Sequence, residues 1–262
     1  MKNIKFSIIT PVHVWNEDRK AWLYRAIESV KNQTYDNFEM VLINDGSVLD
    51  IDVPKYKWLK VLNQPHNERV IAYNLGFREA KGDWFCLLDS DDEYAPNYLE
   101  KCAEFIRSNP GYEIFNFGCK YVHKDGKITL REAFTPKELE KGHEIFSGGN
   151  IVNCTFIWSR KVYEQLGGFP KDHINDIDCS DLNYGGVRNL FMGSPYDFSA
   201  YAQIEFPELR QFFMVKHPDH PKELVRELGN PWGQDYYLFY KYTRIFHCKP
   251  ILENYLYIVH PR

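Results

Sequence analysis

Short apolar, β-branched runs alternate with segments of helical spacing through the first part of the chain. Residues 6–10 (Phe-Ser-Ile-Ile-Thr) read as a strand, after which Trp22, Ala26, Ile27 and Val30 share one helical face ahead of Gln33. Residues 38–43 form a second strand and 58–62 a weaker third. Residues 70–80 follow as a helix closed by Gly82, and 84–88 as a fourth strand running into an acidic cluster. Pro96 then opens a helix through residue 106. Strand and helix in alternation predict an α/β protein with a mostly parallel sheet flanked by helices. Crossovers in such a sheet are right-handed, and ligands bind at the carboxyl ends of the strands.

The pattern loosens further along. Residues 114–122 and 127–130 read as a hairpin across Lys124-Asp125-Gly126, where Asp-Gly supplies the positive φ of a tight turn. A strand over 155–159 leads into a helix over 160–166 that stops at Gly167-Gly168. Residues 170–232 are rich in Asp, Asn, Gly and Pro with patchy periodicity, the signature of an irregular insertion or mobile lid. Helical spacing returns over 235–246, and a strand over 252–259 closes the pattern. The expected organisation is a single domain in two halves, 1–118 for a nucleotide and 119–262 for an acceptor, the insertion lying in the latter.

Composition narrows the function. The 44% hydrophobic and 26% charged shares over 262 residues suit a folded globular domain. A net charge of -4 supplies no basic field, so nucleic acid is not an expected partner. The aromatic share, 16%, is high enough to favour stacking surfaces. The six cysteines are widely spaced without a C-x-x-C pair, which reads as reduced, buried thiols in a cytoplasmic protein. Pro11 interrupts the opening apolar stretch, and no run reaches the ~18 apolar residues of a membrane span. Peripheral membrane association is compatible with all of this.

Three polar clusters fall at the ends of expected parallel strands: Thr10-Pro11, Asn44-Asp45-Gly46-Ser47 and Asp89-Ser90-Asp91-Asp92. Each alone reads equally well as a turn, a strand exit or a helix cap. Gathered on one rim, like charges repel unless a cation or ligand holds them. Asp89 and Asp91 are hard oxygen donors suited to Mn²⁺ or Mg²⁺, which take their remaining ligands from water and substrate phosphates. A diphosphate leaving group, on which charge grows as its bond breaks, calls for such a cation.

These segments, in this order, resemble the inverting family-two glycosyltransferases of the GT-A fold. The matching stretches are residues 6–12, 26–35, 38–47, 74–76, 80–83 and 87–92, then Leu166-Gly167-Gly168-Phe169, Gly233-Gln234-Asp235 and residues 255–260. The resemblance implies that Thr10, Pro11, Val12 and Asp45 line the base and ribose of a nucleotide sugar, with Asp89 and Ser90 facing the ribose. Asn74 belongs to the same nucleotide-binding set. The family's arginine is missing from Ala72-Tyr73-Asn74-Leu75-Gly76, and Arg69 is the residue that replaces it at the phosphates. Asp91 holds the metal with His260 near it, and Asp235 is the general base, in competition with Asp176, Asp178 and Asp181.

The implied activity is transfer of a hexosyl or N-acetylhexosaminyl group, with inversion, from a nucleotide diphosphate sugar, foremost a UDP-sugar, to a glycan, lipid-linked or other acceptor hydroxyl. Two rivals remain. A sugar-nucleotide nucleotidyltransferase would present a similar rim, but the loop Val12-His13-Val14-Trp15-Asn16 lacks the glycine that cradles a triphosphate. A catalytically silent sugar-binding module would keep the fold without Asp89, Asp91 and Asp235 all retained.

Overall fold

The computed structural model describes residues 3–67, 69–134, 153–169, 242 and 246–261. The apolar runs become strands β1 (Phe6–Val12), β2 (Phe38–Asp45), β3 (Leu59–Gln64) and β4 (Trp84–Leu87). Their helical partners are α1 (Glu17–Lys31), α2 (Arg69–Glu79) and α3 (Tyr98–Ser108). A two-residue strand β5 (Glu93–Tyr94) precedes α3. Then come the hairpin β6 (Ile114–Val122) and β7 (Ile128–Arg131), strand β8 (Phe156–Ser159), helix α4 (Arg160–Leu166) and the long β9 (Cys248–Val259).

Among the described residues all the strands join one sheet in the order β3-β2-β1-β4-β8-β6-β9-β5, with β7 alongside β6. The first four are mutually parallel, as the alternating pattern requires. The sheet as a whole is mixed, because β8 runs antiparallel to both β4 and β6. Two reversals cancel, so β6 points the same way as β4, and β9 pairs parallel to β6. The expected meeting point of the two halves, between residues 118 and 119, falls inside β6, and strands from both sides share this one sheet.

Helix α1 starts where Asn16 accepts a hydrogen bond from the Arg19 N–H at 2.9 Å, with Glu17 and Asp18 in the first turn complementing the helix dipole. It buries Leu23, Ala26, Ile27 and Val30. Leu23 rather than Trp22 fills the first position of that face, Trp22 being only half-buried. Helix α2 lies close on the parallel strands because Gly76 has no side chain: a Cβ there would overlap Ile9 and press on Ile43. The core runs continuously from this layer through Phe77, Phe85, Phe115 and Trp158.

The residues 170–232 assigned to an insertion, and Asp235 with most of its expected helix, lie outside the described residues. Of the cysteines, Cys86, Cys102, Cys119 and Cys154 are buried free thiols and Cys248 is half-buried, while Cys179 lies outside the described residues. Burial pushes the Cys119 thiol up to about 11. No helix among the described residues is long and apolar enough to cross a membrane.

Candidate active site

The strand order reverses direction at β1, which sits between β2 and β4, and parallel sheets open a crevice at the carboxyl ends beside such a reversal. Register brings the polar clusters level there. Val12 lies opposite Asn44, Asp45 opposite Gln64, and the Leu88 N–H donates to the Ile9 carbonyl at 3.1 Å. The result is an open cleft of about 430 Å³. Pro11, Val12 and Asp45 from the ends of β1 and β2 line it together with Asp89, Ser90 and Asp91 after β4, and Arg69 at the start of α2 also lines it. Two expected members lie elsewhere. Thr10 is fully buried, its hydroxyl without a hydrogen-bond partner among the described residues. Asn74 is buried on α2, where its amide donates to the Phe169 carbonyl at 3.0 Å and accepts from the Phe169 N–H at 2.8 Å. It staples Gly167-Gly168-Phe169 to the sheet layer and does not reach the cleft.

Carboxylate oxygens of Asp89, Asp91 and Asp92 lie within 4.8 Å of one another. The hydroxyl of Tyr257, from β9, sits beneath them: it accepts from the Asp89 N–H at 3.2 Å and donates to Asp92 Oδ2 at 2.8 Å. Asp92 Oδ1 accepts from the His260 N–H at 3.0 Å, and Tyr73 donates to Asp89 Oδ1 at 2.7 Å. Arg25, from α1, donates to the Asp91 carbonyl and places its Nε 3.2 Å from Glu93. Burial, with Asp89 and Asp91 alongside, pushes the Asp92 carboxyl well above its ordinary range, against the pull of those two hydrogen bonds. Crowded hard oxygens of this kind suit a divalent cation, so the donor set fits Mn²⁺ or Mg²⁺. The His260 ring is not part of the three-carboxylate cluster and places Nε2 2.6 Å from Glu93 Oε1, at ion-pair distance without hydrogen-bond alignment. Burial and Arg25 hold that imidazole below its ordinary range.

At the end of β2 Asp45 is 4% exposed and serves as an anchor. Its Oδ1 accepts from Gln64 Nε2 at 2.6 Å and from the Asn67 N–H at 3.0 Å, fixing the loop that follows β3. His13 and His66 stack with ring centroids 3.9 Å apart. Both Nδ1 atoms lie within 3.0 Å of the Asp45 carbonyl oxygen. A carbonyl only accepts, so both Nδ1 atoms carry a proton, and His66 Nδ1 also lies 3.0 Å from Asp45 Oδ2. Gly46, at φ +61, makes room for this arrangement, since a Cβ there would strike the His66 backbone. Trp15 stands half-exposed at the mouth with the Arg19 guanidinium 3.4 Å above its ring. His13, Trp15, Arg19 and His66 were not anticipated as cleft residues, and neither was the support from Tyr257. The signal within reach was position: His13 and Trp15 directly follow the β1 exit that the pattern marked.

A sheet with a parallel layer flanked by helices and an acidic rim at its reversal point fits the GT-A class of fold. The chain belongs to glycosyl transferase family 2, whose model matches residues 7–167. Curated relatives include an uncharacterized glycosyltransferase of Rickettsia bellii, 36% identical over 42% of this chain and 16% of that protein. One from Haemophilus influenzae is 31% identical over 62% of this chain and 55% of its own. The GalNAc(5)-diNAcBac-PP-undecaprenol beta-1,3-glucosyltransferase of Campylobacter jejuni is 29% identical over 79% of this chain and 65% of its own. The chain thus spans less than two thirds of the length of these relatives. Among solved structures, S. aureus TarS 1-349 superposes over 64% of this chain and 50% of its own with a TM-score of 0.51 at 22% identity, a likeness of fold.

Proposed function

We propose that this chain transfers a hexosyl or N-acetylhexosaminyl group from a UDP-sugar to an acceptor hydroxyl with inversion, assisted by Mn²⁺ or Mg²⁺. The observation that carries the proposal is the convergence of Asp89, Asp91 and Asp92 at the end of β4, beside a cleft of about 430 Å³. That volume lies in the ~300–1,000 Å³ range of small-molecule sites. Family membership supports sugar transfer as the chemistry of that cleft.

In this reading Asp91 and Asp89 face the cation, and Asp92 supports them from beneath through Tyr257. The cation supplies stabilisation of the charge that develops on the departing diphosphate. Pro11, Val12 and the Asp45-anchored loop receive the base and ribose together with Ser90. Arg69, whose guanidinium carbon lies 5.9 Å from the Tyr73 ring, meets the phosphates. Asp235 takes the acceptor proton. The residues 1–118 and 119–262 serve as donor and acceptor halves, with 170–232 acting over the donor. The name of the C. jejuni relative includes an undecaprenol diphosphate, which favours a lipid-linked acceptor here as well.

Titration calorimetry of the full chain with UDP, with and without Mn²⁺, followed by a donor-hydrolysis assay, tests the proposal. Metal-dependent UDP binding with turnover of a UDP-sugar is expected. A requirement for a nucleoside triphosphate, or binding without turnover, refutes it.

A further inference from the structure

The hairpin of β6 and β7 carries features that the cleft does not use. Ile128 and Leu130 are 57% and 56% exposed, on a strand that pairs only with β6 among the described residues. Directly opposed residues in a ladder share a face. Val122 lies opposite Ile128 and Lys120 opposite Leu130, and on the other side of β6 Ile258 lies opposite Lys120. One face of this corner therefore presents three aliphatic side chains of β6 and β7 and a fourth from β9, with a lysine among them.

The turn adds charge. Lys124 and Lys127 are exposed at the tip, and Asp125 between them accepts the Lys127 N–H at 3.0 Å while keeping its charge, so the turn carries a net positive charge from its two lysines against one acid. The chain as a whole carries a net charge of -4, so this basic tip stands against the sign of the rest of the molecule. Direction matters too. Because β6 points the same way as β4, the hairpin tip projects from the rim that bears the acidic cluster. Tyr121 pairs with Val259, the neighbour of His260, whose N–H holds Asp92.

From these observations we infer that the β6–β7 hairpin docks the protein on an anionic lipid bilayer. Lys124 and Lys127 meet the headgroups, Ile128 and Leu130 enter the interface, and the cleft rim is thereby turned toward the membrane surface. Exposed aliphatics flanked by lysines have this complementarity: the charges are attracted by anionic lipid, and the side chains gain by leaving water. A purely polar partner would leave Ile128 and Leu130 unused, and an apolar protein face would leave the lysines opposite no charge. The docking stands apart from the transfer reading, since none of these residues lines the cleft.

The test is co-sedimentation of the full chain with vesicles of phosphatidylcholine alone and of phosphatidylcholine with phosphatidylglycerol. Binding is expected to the anionic vesicles only and to weaken as ionic strength rises. Lys124→Gln with Lys127→Gln should lower partitioning ~25-fold, at about fivefold per lysine near an anionic surface. Ile128→Thr with Leu130→Thr, which places residues of good strand propensity at both positions, should lower it ~10-fold or more. Far-ultraviolet circular dichroism and UDP affinity should be unchanged in both variants, separating lost docking from lost folding. Failure of the parent to bind anionic vesicles overturns the inference, as does undiminished binding by either variant. A homodimer in light scattering that the Ile128 and Leu130 changes dissolve, with vesicle binding untouched, overturns it equally.

Discussion

Replacing Asn74 by alanine should cost folding stability and leave nucleotide binding in the folded protein unchanged. The Asn74 amide is 1% exposed and makes both of its hydrogen bonds with the backbone of Phe169, itself fully buried. Alanine removes the partner from a buried N–H and a buried C=O at once. At ~1–3 kcal/mol for each unmatched group, the loss is about 2–5 kcal/mol after partial relaxation, a large fraction of the 5–15 kcal/mol typical of a whole domain. Phe169 also packs on Tyr73 and Phe77 at ring-centroid distances of 5.3 and 6.0 Å, so loosening it disturbs the aromatic layer under the cleft. Urea unfolding followed by circular dichroism should show a lower midpoint with an unchanged slope. Gly168→Ala supplies a second handle, because a Cβ there would overlap Asn74 Oδ1 and crowd Phe77. Its cost should be clearly smaller in the Asn74→Ala background than in the parent, as expected of residues sharing one contact. A variant of normal stability whose UDP affinity has fallen tenfold would refute the reasoning and return Asn74 to the nucleotide site.

Asp91→Ala should abolish the Mn²⁺-dependent part of UDP binding in calorimetry without lowering the metal-free melting temperature, since it relieves crowding among three carboxylates. Asp92 is held above its ordinary range, so its neutral form favours the folded state at low pH and that contribution is lost as pH rises through the raised value. The Asp92 contribution to the metal-free protein's melting temperature should therefore grow as pH falls through the raised value toward the ordinary carboxylate range, and calorimetric scans of Asp92→Asn against the parent should show that contribution lost. Asp235→Asn should keep UDP affinity and stability while reducing transfer by ~10²-fold or more, the scale of a lost general base. Near-parental transfer in that variant, with Asp178→Asn or Asp181→Asn inactive, would move the base to one of those positions.

The parallel layer was legible because β1, β2 and β4 are short apolar runs ending at polar clusters, with segments of helical spacing between them. What the spacing did not carry was pairing direction: residues 155–159 read as a strand either way, and only the sheet shows β8 antiparallel to both neighbours. Strand β5 is two residues long, too short for any period to register. At the site, Pro11, Val12, Asp45, Asp89, Ser90 and Asp91 line the cleft at the strand ends where the pattern put a polar rim, whereas Arg69, at the start of α2, was suggested by the resemblance alone. Asn74 was misplaced for a physical reason: a buried amide on a helix face looks the same in sequence whether it meets a ligand or a backbone. Asp92 was given no role of its own within the acidic cluster, because its partner Tyr257 sits 165 positions away, beyond the reach of any local pattern.

That long reach has a bearing on how the molecule assembles. The hydroxyl beneath Asp89 and Asp92 arrives on a strand separated from them by 168 and 165 residues, and β9 must pair along β6 before it is in place. Closing a loop of that length is slow, whereas β1, β2 and β4 can form from near neighbours with their crossover helices. The acidic rim is therefore not a local structure: β1 and β4 bring the carboxylates to one edge, but the hydroxyl that fixes Asp89 and Asp92 reaches them only across the completed sheet, so the rim's geometry is a property of the whole topology.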